Sequence, residues 1–514
     1  MRKSMLLAVS LSAGLAILLP ASHSHAELRL PAVISDHMVL QQETENAIWG
    51  WDSPGATVTV RCPVGTVSTT ADKTGRWQVL LPPLKPGEPF SLAISGSSSR
   101  RVQDVLVGEV WLASGQSNMA MPVRGAKNAE QEQAAANFPQ IRMFQTTRMS
   151  IDTPQDDCRG QWLVCTPQTV GGFSATAYYF GRELHERLNC PVGLLHSSWG
   201  GTAVEAWTSL EAQAALPKLA PVLKTWEEQI AAHDPDAARA DYERQLAKWK
   251  EASARNKIAG KPAPRRPTAP SDPRLNQNRP GNLFNGMIAP LVPYGIRGAI
   301  WYQGERNRRG PSQLYGDQLQ CLIADWRGRW ERDAFPFLYV QLPNFTAPQT
   351  MPVEEDGWVD VRVGMDRTLS VPHTGMAVTI DVGEANDIHP KNKQDVGKRL
   401  ALWALGTTYN KEIVYSGPRV KSHAFTGADA KIQFDHVGGG LECRSETGKL
   451  DGFAMAGADG VFHWAEAKIV GDSVEVSSAA VAEPREVRYA WAPHPKCSLY
   501  NRAGLPAAPF QIAP

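Results

Sequence analysis

The chain has 514 residues, of which 42% are hydrophobic and 20% charged, and its formal net charge is +1. That balance suits a globular protein of about two to four domains with a sizeable core. It leaves no basic footprint, so nucleic acid is not an expected partner.

The N-terminus carries the marks of an export signal. Arg2 and Lys3 are followed by an apolar stretch over residues 6–19, and Ser24-His25-Ala26 supplies small residues where cleavage is expected. Residues 1–26 therefore read as a signal peptide, and the mature chain as periplasmic or extracellular, with no membrane insertion after cleavage. All seven cysteines lie in the mature part. In an oxidising compartment Cys158 can pair with Cys165, and Cys443 with Cys497. No C-x-x-C pair and no H-E-x-x-H occurs, so a dedicated metal site is not expected.

Residues 27–101 read as an N-terminal β domain. Short β-prone runs at 39–41, 47–49, 57–60, 77–80 and 90–94 are punctuated by Pro54-Gly55, Thr74-Gly75 and Pro86-Gly87. From residue 102 strands alternate with helices, which predicts an α/β region with a doubly wound, mostly parallel sheet over 102–414. Its strands are expected at 105–113, 141–144, 192–196, 296–302, 337–341 and 375–381. Helices are expected at 174–188, with Ser174 as N-cap, and at 396–405. The alternation stops over about 210–275, where two charged helical stretches precede a Pro-rich linker. This reads as an inserted helical hairpin, either a solvated surface excursion or a lid. Residues 415–514 return to β-prone runs, as a second β domain or as strands laid back on the core.

In doubly wound sheets, ligands sit beyond the carboxyl ends of the strands. The chemistry-bearing segments follow such ends. Gly115-Gln116-Ser117-Asn118-Met119 follows the 105–113 strand and offers Ser117 as a nucleophile, or else is an ordinary strand-to-helix turn. His389, in Asp387-Ile388-His389-Pro390, is a candidate base, because a residue before proline sits in an extended or turn segment from which its ring can project. Asp387, Glu384, Asp381 or a backbone carbonyl can orient it; Asp387 can equally shape the loop as an Asx-turn. Gly200 or Gly201 can offer a backbone N–H to an oxyanion, and Gln303 a side-chain amide. Gln116, Asn118, Glu305 and Arg306 stand nearby as candidate substrate contacts. Trp199, Trp207, Trp301 and Tyr302 suit either sugar faces or the core.

These segments resemble the sialate O-acetylesterase family, within the larger group of SGNH-type hydrolases. The resemblance runs through Asp36-His37-Met38-Val39-Leu40-Gln41, the Ser117 turn, the stretch 173–180 and Trp199-Gly200-Gly201-Thr202. It continues through Asn285-Gly286-Met287-Ile288, Trp301-Tyr302-Gln303-Gly304-Glu305, Asp387-Ile388-His389-Pro390-Lys391-Asn392-Lys393 and the stretch 505–510. It implies an SGNH-like sheet with accessory β regions at both ends, and removal of O-acetyl groups from sugars, typically 9-O-acetyl sialic acids, without a cofactor. It assigns Ser117 as nucleophile, His389 as general base, and Gly200 or Gly201 with Gln303 as oxyanion hole. Two departures stand out. The usual D-x-x-H block has Asn386 three before His389, with Asp387 one residue closer. Arg306 stands where a small residue usually precedes Asn307, and a cation there suits an anionic sugar. The alternatives are an acetyl esterase acting on plant polysaccharides such as xylan or xyloglucan, and a sugar-binding protein that keeps the fold without the chemistry.

Overall fold

The computed structural model describes residues 27–331 and 334–514, so the signal segment at 1–26 lies outside the described residues. The molecule is organised on a central sheet. Its strands are β1 (Ser99–Gly115), β2 (Phe138–Gln145), β3 (Trp162–Cys165), β4 (Val192–Ser198), β5 (Gly298–Tyr302), β6 (Phe337–Val340) and β7 (Thr374–Ala377). Their order is β7-β6-β5-β1-β4-β2-β3. All neighbours run parallel except β2 and β3.

From residue 105 to 115 every side of β1 is buried, as its run of Val, Leu, Trp and Ala requires of a strand covered on both faces. The chain leaves β1 for β2, β3 and β4 on one side, then crosses to β5, β6 and β7 on the other. β1 and its neighbours thus form the switch point where such sheets open a crevice.

Alternate residues face opposite layers. Ile300, Tyr302, Leu338 and Val340 join a cluster with Tyr178, Phe180, Val396 and Leu400. These last four belong to α2 (Ala175–Leu188) and α7 (Lys393–Trp403). Ala299, Trp301, Phe337 and Tyr339 join a second cluster with Trp326, Trp358, Val361 and Met365, which lie on α5 (Tyr315–Arg329) and α6 (Gly357–Thr368). The result is a three-layer α/β core. Ahead of α2 lies α1 (Ser117–Ala120). The insertion supplies a short helix at Leu210–Ala214 and then α3 (Ala220–Ala231) and α4 (Pro235–Ile258), before a loop that reaches a turn at Pro273–Leu275.

The N-terminal strands do not stand apart from this core. β1 runs unbroken from residue 99 to 115, pairing with Phe90–Ser95 early on and with Val39–Gln41 midway. The C-terminal region forms two four-stranded antiparallel sheets and is also tied to the core. Arg362 of α6, 2% exposed, donates to the carbonyls of Leu342, Pro343, Ala492 and Pro493. Tyr500 Oη lies 3.2 Å from Asp381 Oδ2. The segment thus has sheets of its own and hydrogen bonds to the core.

Neither of the possible cysteine pairs, Cys158–Cys165 and Cys443–Cys497, is formed. All seven thiols are free. Cys158 and Cys165 are buried, which pushes both up to about 12. Cys443 Sγ turns to Ser445 Oγ at 3.8 Å, and Cys497 Sγ to the Ile380 carbonyl at 3.6 Å.

Candidate active site

β1 ends at Gly115, whose φ of +137° suits glycine. A Cβ there would stand 2.1 Å from the Tyr302 carbonyl, so only glycine lets the chain turn this close to the end of β5. The turn is pinned by Gln116 N–H donating to the Tyr302 carbonyl at 2.9 Å, and Ser117 begins α1. Behind it, Ser174 caps α2: its Oγ accepts from Ala177 N–H at 3.1 Å and donates to the Met119 carbonyl at 2.6 Å.

His389 arrives on the loop between β7 and α7. Its Nε2 stands 2.9 Å from Ser117 Oγ, so two residues 272 positions apart meet at hydrogen-bond distance. Asp387 is also present, but weakly engaged. Its Oδ1 accepts the His389 backbone N–H at 2.9 Å and lies 3.4 Å from Nδ1. Both side chains are more than 40% exposed, so water competes for this contact.

Beneath the nucleophile lies a buried polar network. Glu305 accepts from the side-chain amides of Gln116 and Asn118. Asn118 Nδ2 also donates to the Ile388 carbonyl at 3.0 Å, and its Oδ1 receives Lys393 Nζ at 2.6 Å. The ammonium lies over the Tyr302 ring, 5.1 Å from its centroid. Burial raises the Glu305 carboxyl above its usual range; the Asn118 bond and the Lys393 charge oppose the rise. Burial pushes Lys393 down to about 7, against the pull of Glu305, Asp387 and Glu384. A carboxylate this deep needs donors, and the two amides flanking Ser117 supply them.

This corrects one expectation. Gln116, Asn118 and Glu305 are 2%, 0% and 5% exposed, so they hold the Ser117 turn from below and do not face a substrate. Lys393 belongs to the same network; the sequence placed it in a matching segment but gave it no role. A lysine three residues past a His-Pro is unremarkable until its burial is seen.

The oxyanion expectation divides. Gly200 is pressed against the nucleophile: a Cβ on it would stand 3.2 Å from Ser117 Cβ. Gly201 sits in an open turn with φ +73° and nothing near its Cβ position. Among the described residues neither Ser117 N–H nor Gly200 N–H has a hydrogen-bond partner. Gln303 does not join them. It is fully buried, and Nε2 donates to the Thr202 carbonyl at 3.0 Å and to Asn307 Oδ1 at 2.7 Å, while Oε1 receives Tyr315 Oη at 2.9 Å. Both its N–H groups are spent closing the Gly200–Thr202 loop from behind.

Arg306 is exposed, on the rim beyond Glu305. Of the four aromatics, Trp207, Trp301 and Tyr302 are fully buried and belong to the core; Trp199 alone is partly open. The arrangement as a whole offers an open nucleophile, a base in contact with it, two free amides beside it and a rigid polar bed below.

Residues 275–405 match the family described as carbohydrate esterase, sialic acid-specific acetylesterase. That stretch holds Gln303, Glu305, His389 and Lys393, while Ser117 and Gly200 lie upstream of it. The rat sialate O-acetylesterase is 31% identical, with 94% of each chain covered, and the human one is 29% identical over 94% of this chain and 92% of its own. Among solved structures, a carbohydrate acetylesterase from Xanthomonas citri is similar at a TM-score of 0.80 and 36% identity, covering 95% of this chain and 99% of the other. Matches of this identity along nearly the whole chain show that it belongs to the sialate O-acetylesterase family of carbohydrate esterases.

Proposed function

We propose that this protein is an exported carbohydrate O-acetylesterase of the SGNH type with Ser117 as its nucleophile. The observation that carries the reading is the 2.9 Å approach of His389 Nε2 to Ser117 Oγ at the switch point of the sheet. Ser117 Oγ attacks the acetyl carbonyl as His389 Nε2 takes its proton. The tetrahedral oxyanion accepts from the Ser117 and Gly200 N–H groups, and such a preorganised donor contributes about 10²–10³ in rate. Collapse expels the sugar oxygen, which takes the proton from His389 and leaves Ser117 acetylated. Water then attacks the acetyl group as His389 accepts its proton. Acetate departs and the proton returns to Ser117.

O-acetyl sialic acid is the first substrate reading, after the named relatives and the exposed cation at Arg306. A second reading is an acetylated plant polysaccharide such as xylan or xyloglucan; the name of the similar Xanthomonas citri protein, a carbohydrate acetylesterase, is not restricted to sialic acid. Acetate release from 9-O-acetyl sialic acid and from acetylated xylo-oligosaccharides, measured side by side on purified mature protein, tests the function and separates the two. Release from the first alone supports the sialate reading, and from the second alone the polysaccharide reading. Release from neither, with no hydrolysis of a chromogenic acetyl ester, refutes the esterase function.

A further inference from the structure

A groove of about 460 Å³ lies between the inserted helix α3 and the loop that follows β5. On one side stand Val222 and Trp226 of α3, on the other Arg306 and Pro311, with Ala203 and Asn307 between them. Its volume is that of a small-molecule site.

The groove is joined to the reacting centre by the chain itself. Gly200 is pressed against Ser117, and Ala203 is three residues on, hence within about 11 Å of Gly200. Asn307 is held rigidly: its Oδ1 accepts from Gln303 Nε2 at 2.7 Å and from Val204 N–H at 3.1 Å, and its Nδ2 donates to Glu205 at 2.9 Å. Asn307, which lines the groove, is thus bonded to the Gln303 side chain that closes the Gly200–Thr202 loop from behind.

Its chemistry is two-sided. Trp226 is partly exposed and, with Val222 and Pro311, supplies flat apolar surface. Arg306 supplies a cation, and Glu205 a carboxyl that burial pushes upward. Aromatic faces beside directed polar groups match pyranose rings, which carry apolar C–H faces and hydroxyl edges. α3 belongs to the inserted hairpin, and neither it nor its helical neighbour α4 has a fully buried residue. Trp226 and Val222 are half-buried and line this groove.

We infer that the insertion builds a second sugar subsite, and that the enzyme takes an O-acetylated oligosaccharide whose neighbouring sugar unit lies in the groove between Trp226 and Arg306. The inference rests on the acetylesterase reading and extends it from the reacting ester to the rest of the glycan.

The test uses two matched pairs of substrates: 9-O-acetyl sialyllactose with 9-O-acetyl sialic acid, and acetylated xylotriose with acetylated xylose. kcat/KM for acetate release is measured on the full mature protein, on Trp226→Ala, and on Thr225→Trp, which adds bulk to the groove wall at an exposed position. The expected result is a preference of the wild type for the longer member of at least one pair by about tenfold, equal to about 1.4 kcal/mol. That ratio falls to near one in both variants. Because it compares two substrates on one protein, a partial loss of folded enzyme does not move it. Equal rates on both members of both pairs in the wild type, or a preference that survives both substitutions, overturn the second subsite. Absence of acetate release by the wild type from all four sugars overturns the acetylesterase reading itself.

Discussion

At the scale of single residues, the arrangement around His389 departs from a buried triad. Where an aspartate is sealed behind the base, its replacement by asparagine costs about 10⁴ in kcat. Here Asp387 is 3.4 Å from Nδ1 and both groups are open to water, so Asp387→Asn is expected to lower kcat by about tenfold only, as read by steady-state acetate release. Lys393 allows a pH test. Its folded value is about 7 and its ordinary value 10.5. Between the two the unfolded chain binds more protons than the folded one, so the stability contributed by Lys393 rises with pH. The melting temperature of the wild type minus that of Lys393→Met is therefore expected to increase between pH 6.5 and pH 9. Ser117 and His389 were legible in the sequence because each follows a strand that sequence alone locates. The true place of Gln303 was not, since its role turns on Thr202 and Asn307, partners that only the fold brings within 3.0 Å.

At the scale of elements, the site is a meeting of strand ends secured by caps and loops. Ser174 holds the first turn of α2 and, through the Met119 carbonyl, the turn that carries the nucleophile. Ser174→Ala is expected to cost about 1–2 kcal/mol in a denaturant titration. The periodic elements were well signalled: the strand expected over 192–196 continues only two residues further, and α2 begins one residue past its expected cap. The short C-terminal strands were not. Leu441–Cys443 and Leu499–Asn501 have three residues each, too few for alternation to register. The two helices of the insertion were visible from composition, but their relation to Ala203 and Arg306 was not, because that depends on how the hairpin folds back.

At the scale of the whole molecule, the accessory β regions are tied to the α/β core by a shared strand and by buried hydrogen bonds. A boundary near residue 101 follows naturally from composition, yet a single strand runs across it, from Ser99 to Gly115. Such continuity is invisible where the burial pattern shifts from one-sided to two-sided within one strand. At the other end Arg362 is the bolt, with four carbonyls from two regions gathered on one buried guanidinium. Arg362→Ala strands those acceptors and is expected to cost about 3 kcal/mol, with the loss of stability shared by core and C-terminal region in one lowered calorimetric transition. The polypeptide thereby holds Ser117, Gly200 and His389, drawn from three separate strand ends, in one rigid frame. The most direct measurement of that frame's chemistry is acetate release from an O-acetylated sugar by the wild type and by Ser117→Ala, with melting temperatures recorded for both. The expected result is a fall in kcat of about 10⁴-fold or more at an unchanged melting temperature. Turnover retained in a folded Ser117→Ala protein would contradict it and move the nucleophile elsewhere.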